Sequence, residues 1–133
     1  MTEHELTTEI VIFLRKEGFK IRYEVPNMVQ SIDLLATKNR WVMTIEAKLN
    51  NWKKALAQCK SHELIADYIC IAIATKKLSQ DLKRETISRG YGLLHFDGTR
   101  SKCLWAIKPQ RNLKVWPAQR RIFSINYRGI DYV

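Results

Sequence analysis

The stretch Asp67 to Ala74, DYICIAIA, constrains the fold more than any other part of the chain. After its first residue it carries no charge. It is far shorter than the about 18 residues of a membrane span, and its isoleucines favour extended backbone. A short, nearly continuous apolar run of this kind fits a central strand covered on both faces. The chain must therefore supply a sheet with helices above and below it.

The flanking segments supply those parts. Residues 2–17 read as a helix. Thr2 and Glu5 have capping-box spacing, Leu6, Ile10, Phe13 and Leu14 repeat at helical intervals, and Gly18 ends the run. Phe19 to Val25 alternates apolar and charged residues as a half-buried strand does. Asn50 or Asn51 can cap a second helix from about Trp52 to Ala66, with Trp52, Ala55, Leu56 and Cys59 on its apolar face. Ser79 to Arg89 reads as a third helix, capped by Ser79 and stopped by Gly90. Tyr91 to Phe96 and Lys102 to Ile107 read as further strands. The expected class is α/β: a mixed sheet flanked by helices on both faces, with core order α-β-β-β-α-β. Residues 1–107 form the expected domain. Residues 108–133, interrupted by Pro109 and Pro117, are a basic C-terminal arm or an extension of that domain.

Between the first strand and the second helix lies SIDLLATKNRWVMTIEAK, residues 31–48. It reads as a hairpin turning at Asn39-Arg40, although the turn lacks the glycine of the best two-residue loops. Its apolar strands carry three misplaced charges. Asp33 interrupts Ile32-Leu34-Leu35, Glu46 lies between Ile45 and Ala47, and Lys48 follows two residues on. With that turn, position 33 falls opposite position 46, and opposed side chains come within about 5 Å at Cβ. Two carboxylates so close repel unless a proton or a cation lies between them. Glu46 and Lys48, two apart on one strand, share a face. A one-residue slip would turn Asp33 to the other face.

The chain has 23 Lys and Arg against 13 Asp and Glu, a net charge of +10. The excess is uneven: residues 98–133 hold 8 basic groups against Asp131 alone. Basic residues interleaved with Trp105, Trp116, Phe123 and Tyr127 suit a polyanion such as nucleic acid, where the bland reading is a solvated surface. Cys59, Cys70 and Cys103 are widely spaced with no CxxC pair, so they read as buried thiols rather than zinc ligands. With an acidic, polar N-terminus and no long apolar run, the expected location is cytoplasmic and nucleoid-associated, away from membranes.

Phosphodiester hydrolysis needs a metal that neutralises phosphate charge and acidifies water. Magnesium favours one or two carboxylates, with water and substrate in the remaining positions. Asp33 and Glu46 can supply two ligands and the Ala47 carbonyl a third. Lys48 can orient or deprotonate the attacking water. Gln58, on the following helix, can hold a scissile-strand phosphate or a metal-bound water. Glu9 borders the apolar stripe of the first helix, where it either reaches solvent or points along the core edge toward the metal.

Asp33, then Glu46-Ala47-Lys48 after 12 intervening residues, then an amphipathic helix bearing Gln58, resembles the PD-(D/E)xK nuclease superfamily, the restriction-endonuclease-like fold. The resemblance covers residues 5–97, and in layout it is nearest the Holliday-junction-resolvase and Mrr-like branches. Ile32 stands where many members have proline, and the Gln-x-x-x-Tyr variant is absent because His62 follows Gln58. The resemblance implies a Mg²⁺- or Mn²⁺-dependent endonuclease with DNA as the expected substrate. Asp33, Glu46, Lys48 and Gln58 would be catalytic. Glu9, Asp33, Glu46 and Ala47 would bind metal. A homodimer is plausible by the same resemblance.

Lys53, Lys54, Arg111, Lys114, Arg120 and Arg121 are the candidate nucleic-acid contacts. Two alternatives share the fold: a module that binds nucleic acid without cutting, and a protein-interaction subunit. The bland reading makes Asp33 a strand-edge acid paired with Arg22 or Arg40, Glu46 and Lys48 a solvated face, and His62 and His95 structural.

Overall fold

The computed structural model describes residues 1–27, 30–98 and 103–127, with side chains described through 124. Arg100, Lys102 and Arg128 of the basic segment lie outside the described residues, as do the side chains of Tyr127 and its two predecessors. The elements run α1 (Glu3–Lys16), β1 (Lys20–Val25), β2 (Ile32–Lys38), β3 (Trp41–Lys48), α2 (Trp52–Lys60), β4 (Tyr68–Ile73), α3 (Gln80–Arg89), β5 (Gly92–Phe96), β6 (Cys103–Ile107) and α4 (Pro117–Tyr127). The six strands form one sheet in sequential order, β1 to β6. Its middle, β3-β4-β5, is parallel, and antiparallel hairpins close both ends.

The apolar run of β4 lies inside the sheet, as its composition demands. Its side chains alternate between two cores: Ile69, Ile71 and Ile73 join one, and Cys70 and Ala72 the other. On the second side α1 lays Leu6, Ile10, Val11 and Leu14 across Leu34, Met43, Ile45 and Leu94. Phe13, expected in that stripe, sits half-buried at its edge, stacked edge-on to Trp105 at 6.2 Å. On the first side α2 contributes Ala55, Leu56 and Cys59, α3 Leu82, and α4 Phe123. Fully burying one such isoleucine or leucine stabilises the fold by about 1.5–3 kcal/mol. Among the described residues no helix is long and apolar enough to cross a membrane.

Local signals set the boundaries. The Thr2 hydroxyl accepts from the Glu5 amide at 3.1 Å, and Ser79 does the same for Leu82 at 3.1 Å. Gly90 ends α3 at φ 71°, in the left-handed region where a Cβ is strained. The hairpin turns at Asn39-Arg40 with Lys38 opposite Trp41, and Asn39 takes the positive φ of 56° that glycine would otherwise supply.

One expectation needs revision. The second helix ends at Lys60 rather than Ala66. Ser61, His62 and Glu63 instead bond three residues back, to Gln58, Cys59 and Lys60, and this tighter turn carries His62 into the interior. The 108–133 segment is tied down wherever it is described. Asn112 donates to the Glu63 and Ala66 carbonyls at 2.6 and 2.8 Å, and Phe123 is buried.

Candidate active site

The antiparallel ladder between β2 and β3 stops at Leu34–Ile45, one pair short of positions 33 and 46. There the Asp33 side chain replaces a main-chain acceptor: its Oδ2 accepts from the Ala47 amide at 3.0 Å. Both neighbouring strands bend at this row. Ile32 and Leu34, two apart, pack in opposite cores, where a regular strand would put them in one. On β1 the ladder pairs Tyr23 with Leu34 and Val25 with Ile32, skipping Glu24, which has φ 49°. Such irregularities re-aim side chains at sheet margins. Here they turn Asp33 toward β3 and leave it lining a cleft of about 450 Å³ with Glu3, Thr7, Tyr23, Glu24 and Ala47.

Glu46 is wholly enclosed, with no exposed surface. Its Oε1 lies 2.8 Å from His62 Nε2, and His62 Nδ1 lies 2.8 Å from Asn27 Nδ2. The Asn27 amide also donates to the Ser61 carbonyl, at 3.2 Å. An amide nitrogen can only donate, so Nδ1 accepts and the ring proton sits on Nε2, donated to Glu46. Burial pushes the His62 pKa down to about 4, so the ring is neutral. Burial foremost, then the negative charge of Asp33, pushes the Glu46 carboxyl up to about 9. The Lys48 charge opposes that shift without cancelling it. At neutral pH Glu46 therefore keeps its proton.

Lys48 is nearly buried, its side chain 15% exposed, and its Nζ lies 3.5 Å from Glu3 Oε1. The sheet thus gathers Asp33, Glu46, Ala47 and Lys48 at the end where β3 gives way to α2. Glu9 is elsewhere: with burial, its charge and that of Glu17 push the Cys103 thiol on β6 up to about 12. The acid that α1 brings to the cleft is Glu3, six residues and about 9 Å nearer the helix start. Its place in the first turn was visible in the sequence, but its reach to Lys48 depends on how α1 crosses the sheet.

Gln58 lies on α2 with its Oε1 buried and without a hydrogen-bond partner, and Glu46 Oε2 is in the same state. Buried oxygens without donors are rare, and a hard cation satisfies them. Asp33, Glu46 and the Ala47 carbonyl would offer the all-oxygen donor set that magnesium or manganese takes. Among the described residues no group of three or more His, Cys, Asp or Glu is placed to hold a metal, so the protein share of any such site rests on two carboxylates and neutral oxygens. His62 and Asn27 had no signal of this role in the sequence, because their contacts to Glu46 depend on the early end of α2.

The basic candidates divide. Lys53 and Lys54 are exposed at the start of α2, close in sequence to the carboxylates. Lys114 pairs with Glu63 at 3.3 Å. Arg111, Arg120 and Arg121 do not flank the carboxylates at all. They surround Trp41 at the opposite end of β3. Trp105 belongs to the core and donates from Nε1 to Glu17 at 2.9 Å.

Fold and site together define a small mixed α/β domain with an enclosed Glu46 beside a half-buried Asp33 at one end of its sheet. No family model matches the chain, and no curated protein matches it. Two solved structures share the fold. One is SPO1766, a protein of unknown function from Silicibacter pomeroyi, with TM-score 0.70 and 19% identity over 96% of this chain and 84% of that one. The other is AF1548, also of unknown function, with TM-score 0.58 and 18% identity over 74% of this chain and 61% of that one.

Proposed function

We propose that the protein is a metal-dependent nuclease of the PD-(D/E)xK type, hydrolysing phosphodiester bonds with DNA as substrate. One observation carries this reading: the wholly enclosed Glu46 carboxyl, held protonated by its burial, stands beside the cleft-lining Asp33, with Glu46 Oε2 lacking any donor and Lys48 alongside. Asp33, Glu46 and the Ala47 carbonyl would hold Mg²⁺ or Mn²⁺. Such an ion, when bound, neutralises phosphate charge and acidifies a water. The chain's own residues do the rest. His62 holds Glu46 Oε1, which leaves Oε2 as the oxygen open toward the cation. Asp33 is fixed through Oδ2 by the Ala47 amide and lines the cleft. The Lys48 ammonium orients the water and counters charge building on the phosphate. Lys53 and Lys54 sit where a substrate backbone would pass, and the Gln58 carboxamide is available to a water or a phosphate.

A second reading has its own support. Glu46 is fully enclosed and Lys48 is tied to Glu3, the arrangement of a fold that binds nucleic acid, or docks on a protein, without cutting. A cleavage panel of branched, duplex and single-stranded substrates, with and without Mg²⁺ or Mn²⁺, separates the two. The nuclease reading expects metal-dependent cleavage lost in both Glu46→Gln and Lys48→Ala. Cleavage that survives both substitutions refutes it, and metal-independent binding without cleavage selects the second. A homodimer in the cytoplasm, associated with the nucleoid, completes the proposal; light scattering of the purified protein reads its mass.

A further inference from the structure

The hairpin tip gathers positive charge that the carboxylate site does not use. A concave surface of about 550 Å³ is lined by Arg40, Trp41, Asp67, Arg111, Arg120 and Arg121, among others. Two guanidinium groups lie over the Trp41 ring, Arg111 at 4.9 Å and Arg40 at 5.6 Å from its centre. Trp41 packs against Tyr68 in a T-shaped arrangement, ring centres 6.1 Å apart, which holds the indole in place. Asp67 is already committed, accepting from Arg120 Nη1 at 3.0 Å and from the Val42 amide at 2.8 Å. Arg40, Arg111 and Arg121 are exposed, and the other residues lining this surface bring no further acid.

The start of α4 adds to the imbalance. Pro117 opens the helix, its first turn has no acidic residue, and Arg120 and Arg121 follow at once. A helix start is its positive end and favours anions. Asp67 answers Arg120 there, and Arg121 adds a further positive charge. A second concavity of about 630 Å³ adjoins, sharing Arg40, Trp41 and Arg120 and adding Lys38.

We propose that this surface is a nucleic-acid backbone site, in which Arg40 and Arg111, held in plane by Trp41, grip consecutive phosphates and the α4 start with Arg121 receives the next. Guanidinium groups pair bidentately with phosphate oxygens, and two of them lie over the indole ring where a base would otherwise stack. The ligand is therefore recognised by its phosphates, without a base code. The inference shares the ligand class of the proposed function and is independent of cleavage.

The test is fluorescence anisotropy of a labelled DNA duplex in EDTA, across a salt series. It compares wild type, Arg40→Ala/Arg111→Ala and the surface control Arg84→Ala. Each backbone contact removed lowers the slope of log affinity against log salt by about 1, so the double variant should lose about 2 and bind about tenfold more weakly or worse at moderate salt. Arg84→Ala should keep the wild-type slope. A double variant with wild-type affinity and slope overturns the proposal. So does a wild type that ignores the duplex while inorganic phosphate quenches its tryptophan fluorescence, an outcome that assigns the site to a small anion. Failure of metal-dependent cleavage, by contrast, leaves the binding result intact.

Discussion

The Glu46–His62 pair should write an unusual pH dependence into the stability of the metal-free protein. Glu46 ionises near 4.5 in the unfolded chain and near 9 in the fold, so between those values the folded state holds a proton that the unfolded state has lost. Stability then falls as pH rises, by about 1.4 kcal/mol per unit. His62 works in the opposite sense. It takes up a proton near 6.5 when unfolded and only near 4 when folded, so stability rises with pH between those values by the same amount per unit. From about pH 4.5 to 6.5 the two slopes cancel. Above 6.5 only the Glu46 slope remains, for a loss on the order of 3 kcal/mol by pH 8.5.

Urea denaturation in EDTA at pH 5.5, 6.5, 7.5 and 8.5 reads this directly. A denaturant slope of about 1–3 kcal/mol per molar puts the loss at roughly 1 M or more in the midpoint. Glu46→Gln keeps an oxygen to accept from His62 Nε2 and removes the titration. Its stability should rise with pH to about 6.5, through His62 alone, and then stay level, so that it overtakes wild type at alkaline pH. A wild-type curve that is level or rising between pH 6.5 and 8.5 refutes the reasoning. So does a Glu46→Gln curve parallel to wild type.

Three further outcomes follow from the packing. Gly92→Ala should cost about 1–3 kcal/mol, read as a lower Tm, because a Cβ there would meet Cys70 Sγ and Pro109 Cδ at 2.8 Å, and a ring carbon cannot swing aside. His62→Leu should cost about 1–3 kcal/mol at pH 6 by leaving Glu46 Oε1 and the Asn27 amide without their partner, measured by chemical denaturation. Arg120→Ala should cost about 2–4 kcal/mol, because it strips donors from Asp67 and from the Ile65 and Arg40 carbonyls; Arg120→Lys should recover only part of this, since one ammonium cannot reproduce a planar fork.

The sheet was legible because period and punctuation agree along most of the chain. The β4 run, the Thr2 and Ser79 caps and the Gly90 stop each act within a few residues, and local physics decides them. The hairpin register was legible for the same reason, since the Asn39-Arg40 turn leaves little freedom. The misreadings came from contacts far apart in sequence. Nothing local shortens α2 at Lys60; what turns the chain there is a buried acid 16 residues earlier and an asparagine 35 residues before His62. Glu9 looked suitable because it borders the right stripe, yet the crossing of α1 over the sheet puts Glu3 at the cleft. The basic C-terminal third was visible as charge. That Arg111, Arg120 and Arg121 gather around Trp41, away from the carboxylates, follows from how residues 108–127 wrap back over the domain.

The sequential strand order has a consequence for synthesis. Every strand pairs only with its neighbours in the chain, so as the polypeptide emerges each new strand finds its template already in place, and no strand must wait for a distant partner. The clasp formed by α4 is the exception. Arg120 reaches back 80 residues to the Arg40 carbonyl and 53 to Asp67. The sheet can therefore assemble during translation, while the arginine surface around Trp41 is completed only when the last helix clears the ribosome. An unfinished chain lacks that surface, so its charge is assembled only on a domain that has already folded.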